Sequence, residues 1–168
     1  MEHKVDSYKH LDPVTSRIMK AWVARGRFDH IPWTPLRKAL PECRVALLTS
    51  AAVALKDDQP FDQETERKNP WWGDPSHRII PSSTRTGDVR LYHLHIDTRM
   101  GQSDLNCVLP LERLSELAEA GVVGEVAPSH YSMMGYILDE TELLAKTAPE
   151  IARRASEEKV DAMVLVPV

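Results

Sequence analysis

The sequence predicts an α/β domain in which a mostly parallel sheet is flanked by helices. Three observations carry that expectation. Short apolar runs, Arg44 to Ser50 and Val160 to Val166, read as strands buried on both faces. Stretches with apolar residues three and four apart, which read as amphipathic helices, fall between the strands. Alternation of the two element types along one chain leads to right-handed crossovers and parallel neighbours. The 168 residues, 42% hydrophobic and 27% charged, have the size and composition of one globular domain.

From Pro13 to Arg25, Val14, Ile18, Met19, Trp22 and Val23 fall at helical spacing and predict an amphipathic docking helix ending near Gly26. Two prolines in Ile31-Pro32-Trp33-Thr34-Pro35-Leu36 fix φ and withhold donors, so an extended connection follows. Arg44 to Ser50 is the first core strand. Residues 56–88, rich in proline and polar groups, read as a long irregular loop outside the layered core. Val89 to Ile96 alternates and carries β-branched and aromatic residues, which predicts a second strand. Leu111, Leu114, Leu117 and Ala118 mark one face of a helix that Gly121 terminates, and Gly124 to Ala127 reads as a short third strand. Thr141 is the expected N-cap of a helix carrying Leu143, Leu144, Ile151, Ala152 and Ala155, bent or split at Pro149. Val160 to Val166 closes the sheet, half of a Rossmann-like arrangement. The chain thus divides into an N-terminal helix and linker, residues 1–30, and a single α/β domain, residues 31–168.

A net charge of -4 and a pI near 6.0 leave no basic surplus for phosphates, which argues against nucleic acid and anionic membrane surfaces as partners. The start lacks the apolar stretch of a secretory signal and no run is long enough to span a bilayer, so a cytoplasmic location is expected. Cys43 and Cys107, the only cysteines, are too few for a disulfide framework and are expected to be reduced and at least partly buried. The turn after the first strand, Ser50-Ala51-Ala52-Val53-Ala54, is not a glycine-rich phosphate loop, and no serine-hydrolase elbow is present.

Candidate chemistry falls in three places. On a strand from Val89 to Ile96, alternation puts His93, His95 and Asp97 on one face, where two imidazoles and a carboxylate can pair as acid and base or bind a divalent metal. The blander reading is one histidine packed in the sheet and the other solvated. Asp104-Leu105-Asn106-Cys107 precedes a helix, at the edge where ligands of parallel sheets sit, although Asp104 and Asn106 also suit plain turn formation and Cys107 an inert thiol. Ser129-His130-Tyr131-Ser132-Met133-Met134-Gly135 reads as a site loop, with His130 as acid, base or anion contact and Tyr131 and Ser132 as substrate contacts. Trp71 and Trp72 either line a pocket or pin the long loop.

In chain order, Pro32-Trp33-Thr34-Pro35-Leu36, Arg44 to Ser50, Gln59-Pro60-Phe61, Gly73 to Pro81, His93-Leu94-His95-Ile96-Asp97, Asp104 to Leu114 and Gly124 to Gly135 resemble the landmarks of the selenoprotein B family of glycine, sarcosine, betaine and D-proline reductases. The likeness runs from Ile31 to Val168. It implies a substrate-handling subunit in which a selenocysteine or cysteine attacks the carbon bearing nitrogen and thiols supply two electrons. It further implies partner subunits, one of them bearing a pyruvoyl group, and a redox residue in the segment directly after a strand like Val160 to Val166. Neither Cys43 nor Cys107 stands at that position, and Ser50-Ala51-Ala52 stands where glycines are common in relatives.

The expectation is therefore a reductase-type subunit that acts on a small amino-acid-like molecule and is inactive alone. His93 or His130 supplies a proton, Asp97 orients a histidine, and Asp104, Asn106, Tyr131 and Ser132 contact substrate. It works beside partner subunits or a second copy, and no cofactor is assigned apart from the divalent metal of the alternative. The alternatives are an enzyme using a divalent metal on His93, His95 and Asp97, and a non-catalytic subunit of a reductase complex.

Overall fold

The structure, a computed structural model, describes residues 8–24, 34–69 and 71–168. The expected helix end at Arg25 and Gly26, most of the extended link through Trp33, and Pro70 lie outside the described residues. Two compact units are present, Met1–Pro35 and Leu36–Val168. In the first, α1 (Pro13–Val23) starts where Asp12 Oδ1 accepts the backbone N–H groups of Val14 and Thr15, at 2.9 and 3.1 Å, with Pro13 at the first helical position.

The second unit is built on β1 (Arg44–Thr49), an apolar strand paired along both edges. On one edge β7 (Ala162–Val166) runs parallel from Val45↔Ala162 to Thr49↔Val166. On the other, β5 (Glu125–Val126) pairs with Arg44 and Val45, and β6 (Ser129–Met133) with Leu48 and Thr49, both parallel. The register shifts between them because the chain bulges at Ala127 and Pro128, where proline has no N–H for the ladder. β3 (His77–Pro81) adds antiparallel to β6, so the sheet is mixed and mostly parallel. β2 (Val53–Leu55) and β4 (Val89–Leu91) form a separate antiparallel pair. Val45, Leu47, Ile80, Leu109, Leu111 and Leu114 lie in the main core.

Helices cover the sheet as the apolar spacing requires. Leu111 and Leu114 of α4 (Leu111–Glu119) are buried, whereas Leu117 stays exposed, and Gly121 takes the left-handed φ of +70° that ends the helix. In α5 (Ala148–Glu157) Ile151 is buried, and a π-helical turn at Leu143–Thr147 precedes it. A wider turn just before Pro149 absorbs the missing N–H without breaking the helix. Asp139 Oδ1 accepts the Thr141 N–H at 3.0 Å, so the capping oxygen lies two residues before Thr141, the expected N-cap. Among the described residues no helix is long and apolar enough to cross a membrane.

Three expectations are corrected. Residues 56–88 are not an irregular excursion: they contain α2 (Gln63–Lys68) and β3, which belongs to the sheet. Arg78 holds this segment, donating to the carbonyls of Gln59 and Pro60 and lying over the Phe61 ring at 4.2 Å. The second strand stops at Leu91, since the chain turns through Leu94 and His95, and the expected alternation of His93, His95 and Asp97 is absent. Residues 129–133, expected as a loop, are an inner strand; Ser129, His130 and Ser132 make hydrogen bonds there, whereas the buried Tyr131 hydroxyl and His130 Nε2 have no partner among the described residues.

The bend into β5 depends on Gly124, whose N–H donates to the carbonyls of Leu40 and Cys43, both at 3.0 Å. A Cβ there would stand 2.9 Å from the backbone of Glu42 and Cys43, which cannot swing aside. Gly124→Ala is expected to lower unfolding stability by about 1–3 kcal/mol, read as a lower denaturant midpoint.

Candidate functional site

Parallel pairing brings the carboxyl ends of β1, β6 and β7 to one rim, where ligands of open α/β sheets bind. Ser50 ends β1 and ties the rim: its N–H donates to Val166 O at 3.2 Å and its Oγ accepts the Val168 N–H at 2.8 Å. Beyond it Ala52 has a left-handed φ of +52°, held by its N–H to Met133 O at 3.0 Å, a conformation that favours glycine. After β6 the chain passes Gly135, where a Cβ would lie 2.9 Å from His93 Nε2, 2.9 Å from the Ser50 carbonyl oxygen and 3.2 Å from Ser50 Cβ. Only a residue without a side chain lets this segment run between His93 and Ser50.

His93 is buried, and its Nδ1 accepts the His95 backbone N–H at 3.1 Å. The neutral ring therefore carries its proton on Nε2, the atom beside Gly135 and Ser50. Burial, then the neighbouring His95, depress the pKa of His93, so at neutral pH it is a hydrogen-bond donor at the rim rather than a cation.

His95 is half-exposed. Its Nε2 lies 2.9 Å from Oε1 of Glu66, whose side chain is sealed from solvent. The Tyr136 ring packs on His95 with centroids 4.2 Å apart, and His93 meets it edge-on at 5.9 Å. Glu66 is delivered by α2, whose Gln63, three residues earlier on the same face, donates to the Tyr92 carbonyl at 2.5 Å. Gly73 supports the arrangement from behind, since a Cβ there would overlap the Tyr136 carbonyl oxygen.

The other expected site residues are placed elsewhere. Asp97 is exposed and clamped by Arg99, Oδ2 to Nη2 at 2.6 Å, a bond that also lowers the carboxyl's pKa. His130 is fully buried; its Nδ1 accepts the Leu47 N–H at 2.9 Å, the donor that the bulge between β5 and β6 leaves without a ladder partner. Tyr131 is buried beside Ile79 of β3, and Ser132 Oγ accepts the Val53 N–H at 2.7 Å. Asp104 Oδ1 accepts the N–H and the side-chain amide of Asn106, at 3.0 and 2.9 Å, and Asn106 Oδ1 accepts the Glu112 N–H at 3.0 Å, so this pair shapes the turn and caps α4. His93, Asp97 and His130 thus do not meet at one open rim.

Among the described residues no three His, Cys, Asp or Glu side chains gather closely enough to hold a metal ion. The set His93, His95 and Asp97 is corrected accordingly: the turn after Leu91 breaks the alternation, and Arg99 takes the carboxylate. Cys43 is buried but Cys107 is exposed, contrary to expectation. Trp71 is exposed and lines, with Trp72, Pro75 and the π-helical turn, an open cleft of ≈ 380 Å³.

The fold places the chain in the α/β class, with a mixed, mostly parallel sheet. Residues 19–168 match the glycine/sarcosine/betaine reductase selenoprotein B family, and the chain belongs to it. It is 35% identical over 133 residues to the D-proline reductase subunit gamma of Acetoanaerobium sticklandii, covering 79% of this chain and 52% of that protein. It is 26% identical over 151 residues to the glycine reductase complex component B subunit gamma of Symbiobacterium thermophilum, covering 82% of this chain and 31% of that one. The chain thus spans about half or less of the length of these relatives. No solved structure matches.

Burial holds the pKa of His130 down at about 4, below its ordinary 6.5. The unfolded chain therefore binds this proton in the window between those values while the folded chain does not, and stability falls as pH drops from about 6.5 toward 4. His130→Ala is expected to lower stability by about 2–4 kcal/mol, through an unpaired Leu47 N–H and a cavity, and to flatten this acid slope in denaturant titrations.

Proposed function

We propose that this chain is a cytoplasmic subunit of a thiol-dependent reductase complex acting on a small amino-acid-like molecule, with the rim of β1 as its substrate site. One observation carries the reading: His93 Nε2 and Ser50 border the same point beside Gly135, and Ser50 binds the backbone at Val168 where β7 leaves the sheet. A redox residue following β7, as the family resemblance implies, would emerge beside a buried imidazole that offers an N–H. Such a donor stabilises a thiolate or selenolate and orients the molecule it attacks.

Reductive cleavage of a carbon–nitrogen bond takes up two electrons and two protons, which two thiols supply in passing to a disulfide. One proton ends on carbon and the other on the departing nitrogen. The two named relatives are subunits of reductases, which supports protein partners for this chain. A second reading, a non-catalytic subunit, is favoured by β7: its outer edge is unpaired among the described residues, and Val164 and Leu165 are exposed, as in a strand awaiting a partner's surface.

The test is thiol-dependent reduction of D-proline, glycine and betaine by the chain with its partner subunits, alongside a chain extended by a cysteine after Val168. Turnover in either, lowered about 100-fold by His93→Gln, is expected. Silence from both, with a stable complex formed, supports the non-catalytic reading instead.

A further inference from the structure

The Glu66–His95 contact has the features of a proton-exchange pair. Glu66 sits in the strongly polar helix Gln63–Lys68 and is the one residue of that helix that is buried. A carboxylate kept only to fasten a helix would spend both oxygens; here Oε1 takes the imidazole and the buried Oε2 has no hydrogen-bond partner among the described residues. The whole interaction of a buried charge is therefore concentrated on one ring. That ring is half-exposed, so it meets both a buried carboxylate and solvent.

We propose that Glu66 and His95 form a carboxylate–imidazole pair in which Glu66 accepts the Nε2–H and His95 gives and takes a proton at Nδ1 with a small amine-bearing ligand. The tautomer follows from the geometry, because a carboxylate on Nε2 leaves Nδ1 as the unprotonated nitrogen of the neutral ring. Tyr136 on one face and His93 at the edge restrict rotation of the imidazole, so Nδ1 keeps one direction. Glu66 is the positioning residue, and the two histidines divide their work: His93 donates a fixed hydrogen bond, and His95 moves the proton. The assignment of the ligand rests on the rim being a reductase substrate site; the pair itself does not.

Two measurements separate these claims. Nitrogen-15 NMR of the full histidine-labelled chain at pH 8 is expected to show His95 as the Nε2–H tautomer, and Glu66→Ala to convert it to a mixture. Glu66→Gln, which keeps an acceptor, is expected to retain the tautomer and serves as the folded control. A tautomer mixture in the unsubstituted chain, or one tautomer unaffected by Glu66→Ala, overturns the pair. In the assembled complex His95→Gln is expected to lower kcat by about 100- to 10,000-fold, and Glu66→Gln about 10-fold, with KM little changed. Normal kcat in His95→Gln overturns the proton-exchange role. A complex without turnover even when unsubstituted sinks the reductase reading alone, and the NMR result then decides the pair.

Discussion

Pairing of β1 along both edges is the constraint from which the site follows. Because β6 and β7 run parallel to β1, their carboxyl ends must reach the same rim, and the turns leaving them share a small volume. Ser50 bonds the backbone at Val166 and Val168, and Gly135 passes so near Ser50 and His93 that a Cβ there would meet both. The polar groups there are set by strand register rather than by loop flexibility. A slip of one residue in β6 would turn Tyr131 and Ser132 to opposite faces and move Gly135 from its gap.

Four histidines of the α/β unit are held in different ways, and burial sorts them. His130 lies wholly inside and replaces a backbone acceptor, which requires it to stay neutral. His93 is buried, but its Nε2 faces the rim, so its depressed pKa keeps it a donor. His95 alone combines solvent contact with a buried carboxylate partner. His77, in β3, packs toward the Tyr131 ring with centroids 6.5 Å apart, and its pKa is lowered by burial. Residue type is constant across the four; what each can do is decided by which nitrogen is engaged and by how much water reaches the ring.

Much of the fold was legible because apolar runs and helical spacing are direct consequences of burial. Arg44 to Ser50, Glu125 to Val126, Leu111 to Glu119 and the final strand all fall where the pattern places them. β3 was hidden because His77-Arg78-Ile79-Ile80-Pro81 lies between prolines and its sheet position depends on pairing with residues far along the chain. The polar run Ser129 to Ser132 looked like a loop because hydroxyl and imidazole groups usually face water. Here they satisfy Leu47 and Val53 N–H groups that a bulged sheet leaves open. His93 and His95 were visible as chemistry, although their grouping came from an alternation that ends at Leu91. Glu66 left no signal at all: in Gln63-Glu64-Thr65-Glu66-Arg67-Lys68 it reads as one more solvated charge, and only the placement of α2 turns it inward. Gly73 and Gly135 likewise look like ordinary turn residues until backbone or ring atoms are seen where their side chains would be.

The central claim is that His93 offers its Nε2–H at the point where β7 leaves the sheet. It is tested most directly by adding a cysteine after Val168, in a Cys107→Ser background, and titrating that thiol by its thiolate absorbance with and without His93→Gln. The account expects the thiol to ionise at lower pH when His93 is present and to move back up when it is replaced, since the imidazole N–H stabilises the thiolate. A titration that does not change on replacing His93 would contradict the account.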